Sequence, residues 1–157
     1  MSEVTQLQYQ TDSAAGTEAL AEMVGRNVHG GEVIELSSDL GGGKTTFVRG
    51  FARGAGSSDH VASPTFTVSR EYEARDGLRI YHFDFYRLQE AGIMEQELAE
   101  LADDPNAVTI VEWSGIVQHV LPEEHVRIEI VANGDEQRIL HCAVPESYKY
   151  LMEGIKN

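Results

Sequence analysis

Hydrophobic and polar positions along the chain follow two different periods, and these periods predict a succession of strands and helices. Apolar or β-branched residues that run together or alternate predict strands over residues 4–9, 32–36, 65–72, 78–86, 107–112, 126–131 and 138–144. Apolar residues at helical spacing predict helices from about residue 14 to 28 and from 44 to 54, with further helices over 90–101 and from about 146. Thr11, Asp12 and Ser13 supply side chains that can cap the first helix.

Turn residues connect these elements into an order that indicates the fold class. Asp76-Gly77 and Asn133-Gly134 are typical of tight hairpin turns. The order is strand, helix, strand, glycine-rich loop, helix, and then hairpin, helix, strand, helix, hairpin. It predicts a three-layer α/β domain with a mixed sheet, parallel in the centre and antiparallel in its hairpin strands. We expect one domain over residues 1–157, since no repeat or interdomain linker interrupts the pattern.

Composition and charge narrow the classes of function. The net charge is −14, with 12 Lys and Arg against 26 Asp and Glu. A free-standing nucleic-acid binder needs cations to replace the counterions of the phosphates, so we do not expect this chain to hold DNA or RNA strongly by itself. The first residues resemble no secretion signal, and no apolar run reaches the length of about 18 residues that suggests a membrane span, so we expect a cytoplasmic protein. Cys142 lies in an apolar run and is expected to be a buried, structural thiol.

A glycine-rich segment between the second strand and the second helix carries the strongest chemical signal. It reads Ser38-Asp39-Leu40-Gly41-Gly42-Gly43-Lys44-Thr45. A P-loop requires Gly, four residues and Gly-Lys-Ser/Thr between a strand and a helix, so that backbone N–H groups and the helix N-terminus face one anion. Here Lys44 can reach the β- and γ-phosphates and the Thr45 hydroxyl can ligate Mg²⁺. Ser38 replaces the first glycine, which costs about 1–2 kcal/mol only if that backbone is left-handed.

A Mg·ATP site also needs an acidic side chain at the end of a neighbouring strand. Asp84 and Glu112 are the two candidates, and Glu112 fits better because it ends a continuous apolar stretch typical of a buried parallel strand. His82 and Asp84 share one face of an alternating strand. Such a pair could bind a metal or relay a proton, or it could be an ordinary surface ion pair.

Five short motifs in one order connect the chain to a known family. They are Asp39-Leu40-Gly41-Gly42-Gly43-Lys44-Thr45-Thr46-Phe47, Ser63-Pro64-Thr65-Phe66-Thr67, His82-Phe83-Asp84-Phe85-Tyr86-Arg87-Leu88, Glu112-Trp113 and Leu121-Pro122. Together they resemble the TsaE family, the small bacterial P-loop ATPases of tRNA threonylcarbamoyladenosine biosynthesis. The resemblance spans about residues 10 to 145.

The resemblance implies a function and a role for each motif residue. Residues 41–46 would hold the phosphates, Thr45 and Glu112 would ligate Mg²⁺, and Asp84 would position or activate the attacking water. Thr65 would lie in a switch-like loop near the γ-phosphate and Trp113 near the nucleotide. The family works beside two sugar-kinase-fold partners that modify the adenosine next to the anticodon. The chain would then contact tRNA only indirectly and would use ATP to reset the complex between turnovers.

Two other functions are compatible with a P-loop. A small-molecule kinase would need a lid with several arginines, and Arg70, Arg75 and Arg79 cluster in sequence, although a solvated hairpin face explains them as well. A nucleotide-gated scaffold would bind ATP without significant hydrolysis. A GTPase is disfavoured because no Asn-Lys-x-Asp segment follows the loop. No arginine finger is evident, so we expect weak intrinsic hydrolysis that partner proteins stimulate.

Overall fold

The computed structural model describes residues 3–38, 43–62, 64, 68–85 and 92–156. The strands are β1 (Val4–Thr11), β2 (Val33–Ser38), β3 (Ser69–Glu73), β4 (Arg79–Asp84), β5 (Ala107–Glu112), β6 (Val126–Ala132) and β7 (Arg138–Pro145). The α-helices are α1 (Ala14–Arg26), α2 (Lys44–Gly54) and α3 (Ile93–Ala102). Short 3₁₀ helices cover Arg75–Gly77, Ser114–Val120 and Glu146–Met152.

The strands form one mixed sheet in the order β1-β7-β6-β2-β5-β4-β3. The four central strands, β6, β2, β5 and β4, are parallel to their neighbours within this group. The outer pairings of β3 with β4, β7 with β6 and β1 with β7 are antiparallel. The predicted fold class is therefore confirmed. In each hairpin one strand, β4 or β6, belongs to the parallel centre, and the other, β3 or β7, lies outside it. Parallel strands end at the same edge, so their carboxyl ends lie together.

Side chains on the two faces of the sheet build two separate cores. One face packs beneath α1 and α2, which contribute Val24, Phe47 and Phe51 to the larger core. The other face packs against α3 and the 3₁₀ helix Ser114–Val120 in a smaller core that includes Phe83 and Leu98. Alternation along β2, β4 and β5 divides their side chains between these two cores. The result is the predicted three-layer arrangement.

Helices α1 and α2 approach each other closely because glycine permits it. A Cβ built on Gly50 would lie 2.1 Å from the Glu18 carbonyl oxygen, and one on Gly54 would lie 2.0 Å from that of Glu22. No side chain fits there, so these glycines bring the two backbones into contact. The start of α1 follows the sequence prediction, since Ser13 Oγ accepts a hydrogen bond of 3.0 Å from the Gly16 N–H.

Most predicted elements appear, with some changes of boundary. The acidic helix begins at Ile93, and β3 begins at Ser69. The predicted strand residues 65–67 and 86, and the helix residues 90 and 91, lie outside the described residues. Cys142 is buried as expected, and burial raises the pKa of its thiol to about 12. Among the helices that are described, none combines the length and hydropathy needed to cross a bilayer.

Candidate nucleotide site

The junction of β2 and α2 provides the phosphate-facing end of the site. Ser38 is the last residue of β2, and it is not among the non-glycine residues with positive φ in the described chain, so its Cβ causes no left-handed strain. Gly43 precedes α2 with φ 110° and ψ 13°, a conformation that favours glycine. Because Gly43 has no side chain, it cannot cap the first N–H groups of α2. The helix therefore presents these donors and its positive end toward the loop.

Lys44 reaches from the first turn of α2 across the carboxyl ends of the central strands. Its Nζ donates to the Ser38 carbonyl at 3.3 Å and lies 3.8 Å from Glu112 Oε1. The same ammonium lies 5.0 Å from the centre of the Trp113 ring. A cation at this distance interacts favourably with an indole face. The lysine is thus held between a carbonyl, a carboxylate and an aromatic ring.

Asp84 and Glu112 lie side by side at the ends of β4 and β5. The parallel register pairs Asp84 with Glu112, and Glu112 with Leu36 of β2. Each residue is only 3% exposed. The two acids that the sequence analysis treated as competing candidates therefore occupy one place, opposite the start of α2. Two adjacent carboxylates near a lysine can bind a divalent cation and can also accept a proton.

His82 has a different partner from the one that strand alternation suggested. It is fully buried, and its Nε2 contacts Oε2 of Glu112 on the neighbouring strand. The interpretation of His82 and Asp84 as a surface ion pair is wrong, because neither residue is on the surface. Strand alternation predicts that His82 and Asp84 share one face but does not predict the contact with Glu112, which depends on the register between β4 and β5.

Trp113 follows Glu112 in an unusual backbone conformation. Its φ is 55° and its ψ is 53°, in the left-handed region that costs a non-glycine residue about 1–3 kcal/mol. This conformation ends β5 abruptly and turns the indole over Lys44. The ring remains 39% exposed. Strain of this kind persists where the surrounding structure enforces it, which is common at functional sites.

A second strained residue ties the segment containing Thr65 to the end of β4. Val68 has φ 69°, although it is β-branched. Its N–H donates to the Pro64 carbonyl at 2.7 Å, and its carbonyl accepts from the Asp84 N–H at 2.7 Å. Thr65 itself lies outside the described residues, as do Asp39, Leu40, Gly41 and Gly42, so the roles assigned to these residues stay predictions.

A cavity of about 200 Å³ lies beside Gly43 at the start of α2. Its lining comes from the starts of α1 and α2 and from the turn between β6 and β7: Ala14, Thr17, Gly43, Thr46, Asp135, Glu136 and Arg138. Arg138 lies beside the loop, since a Cβ on Gly43 would be 3.9 Å from its Nε. No sequence pattern indicated this cavity, because residues about one hundred positions apart form it.

The hairpin arginines have structural partners. Arg75 donates to the Gly25 and Gly54 carbonyls through Nη1 and to those of Arg26 and Val28 through Nη2, at 2.7 to 3.3 Å. It therefore caps the C-terminal ends of α1 and α2, where a cation also interacts favourably with the helix dipoles. Arg79 pairs with Glu71 at 2.6 Å and with Glu73 at 3.4 Å. Because Arg75 and Arg79 are held in these contacts, they do not form the arginine-rich lid that a kinase would need.

Comparison with known proteins gives one consistent family. The model of the family described as "Threonylcarbamoyl adenosine biosynthesis protein TsaE" matches residues 11–140. A tRNA threonylcarbamoyladenosine biosynthesis protein TsaE from Bacillus subtilis is 40% identical over 154 residues, covering 94% of this chain and 92% of that protein. The TsaE protein of Haemophilus influenzae is 35% identical over 127 residues, covering 80% and 78%.

A solved structure is similar over almost the whole length. The crystal structure of YdiB from Bacillus subtilis superposes with a TM-score of 0.74 at 33% identity, covering 96% of this chain and 94% of that one. The family match, the similar sequences and the similar structure agree, and the chain belongs to the TsaE family.

Proposed function

We propose that this protein binds Mg·ATP at the β2–α2 junction and hydrolyses it in support of threonylcarbamoyladenosine formation on tRNA. One observation carries the proposal: Lys44, at the start of α2, lies 3.8 Å from the carboxylate of Glu112, which pairs in register with Asp84 at the ends of two adjacent parallel strands. Membership of the TsaE family supports the pathway, and the site supports the nucleotide.

The residues of the site have separate tasks. The N–H groups at the start of α2 and the Lys44 ammonium bind the phosphates, and residues 39–46 form the loop around them. Asp84 positions the attacking water and accepts its proton, since its carboxylate lies at the strand end beside Glu112. Trp113 covers Lys44 and limits the access of solvent. Thr65, which is outside the described residues, would contact the γ-phosphate.

The donor set suits a hard divalent cation. The Thr45 hydroxyl and the Glu112 carboxylate would hold Mg²⁺, and both are oxygen ligands of the kind that Mg²⁺ prefers. The Lys44 ammonium lies 3.8 Å from Glu112 Oε1, so a positive charge already fits beside this oxygen. When bound, Mg²⁺ would neutralise charge on the β- and γ-phosphates.

The cavity beside Gly43 suits the remainder of the nucleotide. Its lining includes Gly43 and Thr46 at the start of α2, beside the phosphate site that we propose. Its volume of about 200 Å³ accommodates a purine base, and Arg138 offers a planar cation to stack on the base or to pair with a phosphate. We therefore place the adenosine between α1 and the β6–β7 turn.

Hydrolysis by the isolated chain is slow in this proposal, and two sugar-kinase-fold proteins stimulate it. The net charge of −14 is consistent with a protein that drives a tRNA-modifying complex without binding the tRNA itself. Tight binding of tRNA to the isolated chain at physiological salt would contradict this part of the proposal.

The decisive experiment measures modified tRNA under multiple turnover, with both partner proteins and with or without this chain. We expect product to stop near one turnover without the chain and to continue with it. Lys44→Ala should behave as if the chain were absent. Lys149→Ala is the matched control, because it removes an exposed lysine outside the site. If the chain makes no difference to the amount of product, the assigned role in tRNA modification is wrong.

A nucleotide-gated scaffold is the alternative that this site leaves open. Asp84→Ala separates the two, because it removes the group that acts on water and keeps Lys44 and Glu112. A scaffold would still support tRNA modification with this substitution. An ATPase would bind nucleotide normally but would lose about 10²- to 10⁴-fold in hydrolysis, and sustained modification would be lost with it.

A further inference from the structure

His82 is the polar exception on the core face of β4. Ile80, two residues earlier on the same face, and Phe83, the next residue, are fully buried and apolar, and His82 is fully buried with them. Burying a polar ring is costly unless its hydrogen bonds are satisfied. The ring has one such contact, between Nε2 and Glu112 Oε2. We conclude that His82 is at this position for its contact with Glu112, and not for packing alone.

The second ring nitrogen indicates where the proton resides. Nδ1 of His82 and Oγ1 of Thr109 are the buried side-chain polar atoms that have no partner within the described residues. A carboxylate oxygen can only accept, so Nε2 must donate to it. The tautomer with hydrogen on Nε2 leaves only a lone pair at Nδ1. The opposite tautomer would bury an unpaired N–H and would also set a lone pair against the carboxylate.

The Glu112 carboxylate is divided between two sides. Oε2 contacts His82, whereas Oε1 faces Lys44 at 3.8 Å. One oxygen is thus held inside the core, and the other points to the region where α2 begins. A carboxylate held at one oxygen cannot rotate freely, so the direction of the other oxygen is set before any cation binds.

We infer that His82 is a positioning residue, which holds Oε2 of Glu112 so that Oε1 faces the divalent cation accompanying a bound nucleotide. The inference rests on the proposed function, because it assigns Glu112 to that cation. It deepens the function by naming a residue that touches neither nucleotide nor water but acts through Glu112. Outer partners of this kind orient metal ligands, and their removal weakens metal binding.

Three substitutions of similar size test the geometry. His82→Gln places an amide N–H near the position of Nε2, His82→Asn places it near Nδ1, and His82→Leu removes the donor. Calorimetric titration with a non-hydrolysable ATP analogue, in Mg²⁺ and in EDTA, gives the increment in affinity that Mg²⁺ contributes. We expect His82→Leu and His82→Asn to reduce this increment by about 10-fold or more and His82→Gln to retain most of it. Affinity in EDTA should be the same for all.

Each result has a distinct meaning. If the three variants lose affinity equally in Mg²⁺ and in EDTA, His82 only supports the fold, and the inference is overturned. Equal behaviour of His82→Gln and His82→Asn would also overturn it, since the contact would then lack positional specificity. If the unsubstituted protein gains no affinity from Mg²⁺, the proposed cation site itself fails. Thermal unfolding of each variant identifies any that do not fold. The decisive comparison is between His82→Gln and His82→Asn, measured on folded protein.

Discussion

Two buried glutamates lie at opposite edges of the same parallel strands and are held in different ways. Glu32 immediately precedes β2, at the amino edge, and is fully buried. Its Oε1 accepts from the Gly30 N–H at 2.8 Å, and its Oε2 accepts from the His29 N–H and the Tyr150 hydroxyl, both at 2.6 Å. Glu112 ends β5, at the carboxyl edge, with one oxygen on His82 and the other 3.8 Å from Lys44.

The difference distinguishes a structural carboxylate from the one that we propose to be functional. Three neutral donors satisfy both oxygens of Glu32 and join the α1–β2 turn to the 3₁₀ helix Glu146–Met152, where the Tyr150 ring also stacks on His29 at 4.2 Å. One oxygen of Glu112 instead faces the Lys44 ammonium, a charged group that a bound phosphate can also attract. Burial of a carboxylate therefore does not by itself indicate a binding site. The distribution of hydrogen-bond donors and charges around its two oxygens is more informative.

Replacing Glu112 should give the largest effect, on chemistry. In Glu112→Gln the amide oxygen can still accept from His82, but the negative charge that would face a cation is lost. We expect ATP hydrolysis, measured with the partner proteins present, to fall by about 10²- to 10³-fold. The free energy of unfolding in urea should change by less than about 1 kcal/mol, since an isosteric group fills the same space. If this variant hydrolysed ATP at the full rate, Glu112 would not be part of the catalytic site.

The same substitution at the other edge should give the opposite result. In Glu32→Gln the amide group must set an N–H against one of the surrounding donors. We expect the free energy of unfolding to fall by about 2–3 kcal/mol, because hydrogen bonds to a charged group are lost in a buried place. Urea denaturation measures this loss, and nucleotide affinity measured below the unfolding transition should be unchanged. A loss of nucleotide affinity would mean that the two edges are coupled.

Removing a single donor should have a smaller effect on stability. Tyr150→Phe keeps the ring and its stacking on His29 but deletes the hydroxyl that donates to Glu32. We expect a loss of about 1.5 kcal/mol, since two backbone N–H groups still hold the carboxylate. Combined with Glu32→Gln, the loss should be less than the sum of the two single losses, because both act on one network. If the two losses of unfolding free energy were additive, the hydrogen bond between the hydroxyl and Glu32 would contribute nothing measurable to stability.

Alkaline pH should produce the smallest and most selective effect. Burial, and next the hydrogen bond to Glu32, raise the pKa of Tyr150 above its ordinary value of 10.0. Above pH 10 the unfolded chain therefore loses this proton while the folded chain retains it, so stability falls as pH rises. Tyr150→Phe lacks this contribution, and its stability should decline less steeply between pH 9 and 11. Parallel urea titrations of both proteins measure the difference, and identical slopes would contradict it.

Much of the fold and part of the site follow from local patterns. The period of apolar residues placed all seven strands and the three α-helices, since each element must bury one face. The loop motif placed Lys44 at the start of α2, and the apolar run ending at Glu112 placed that acid at the end of a parallel strand. The helix α3 begins at Ile93, because the residue before it, Gly92, has φ 55° and ψ −133°, which is not a helical conformation.

Contacts that join distant strands could not be predicted in this way. Asp84 and Glu112 looked like alternatives in the sequence, whereas the parallel register makes them neighbours. Arg75 looked like a solvated residue, yet it caps two helices whose ends only packing brings together. The cavity beside Gly43 likewise needs the β6–β7 turn, far along the chain. Register and packing are properties of residue pairs, so the pattern of any single segment is silent about them.

By itself, the sequence of this protein determined the kinds of elements, their order, the glycine-rich loop and the identity of the residues available for chemistry. These depend on local backbone preferences and on the periodic burial of one face, which each segment carries within itself. Only the tertiary structure decided that His82 holds Glu112, that Lys44 lies between Glu112 and Trp113, and that Glu32 is a structural carboxylate. The physical reason is that a buried polar group takes its meaning from the donors and charges around it, and strand pairing brings these together from distant parts of the chain.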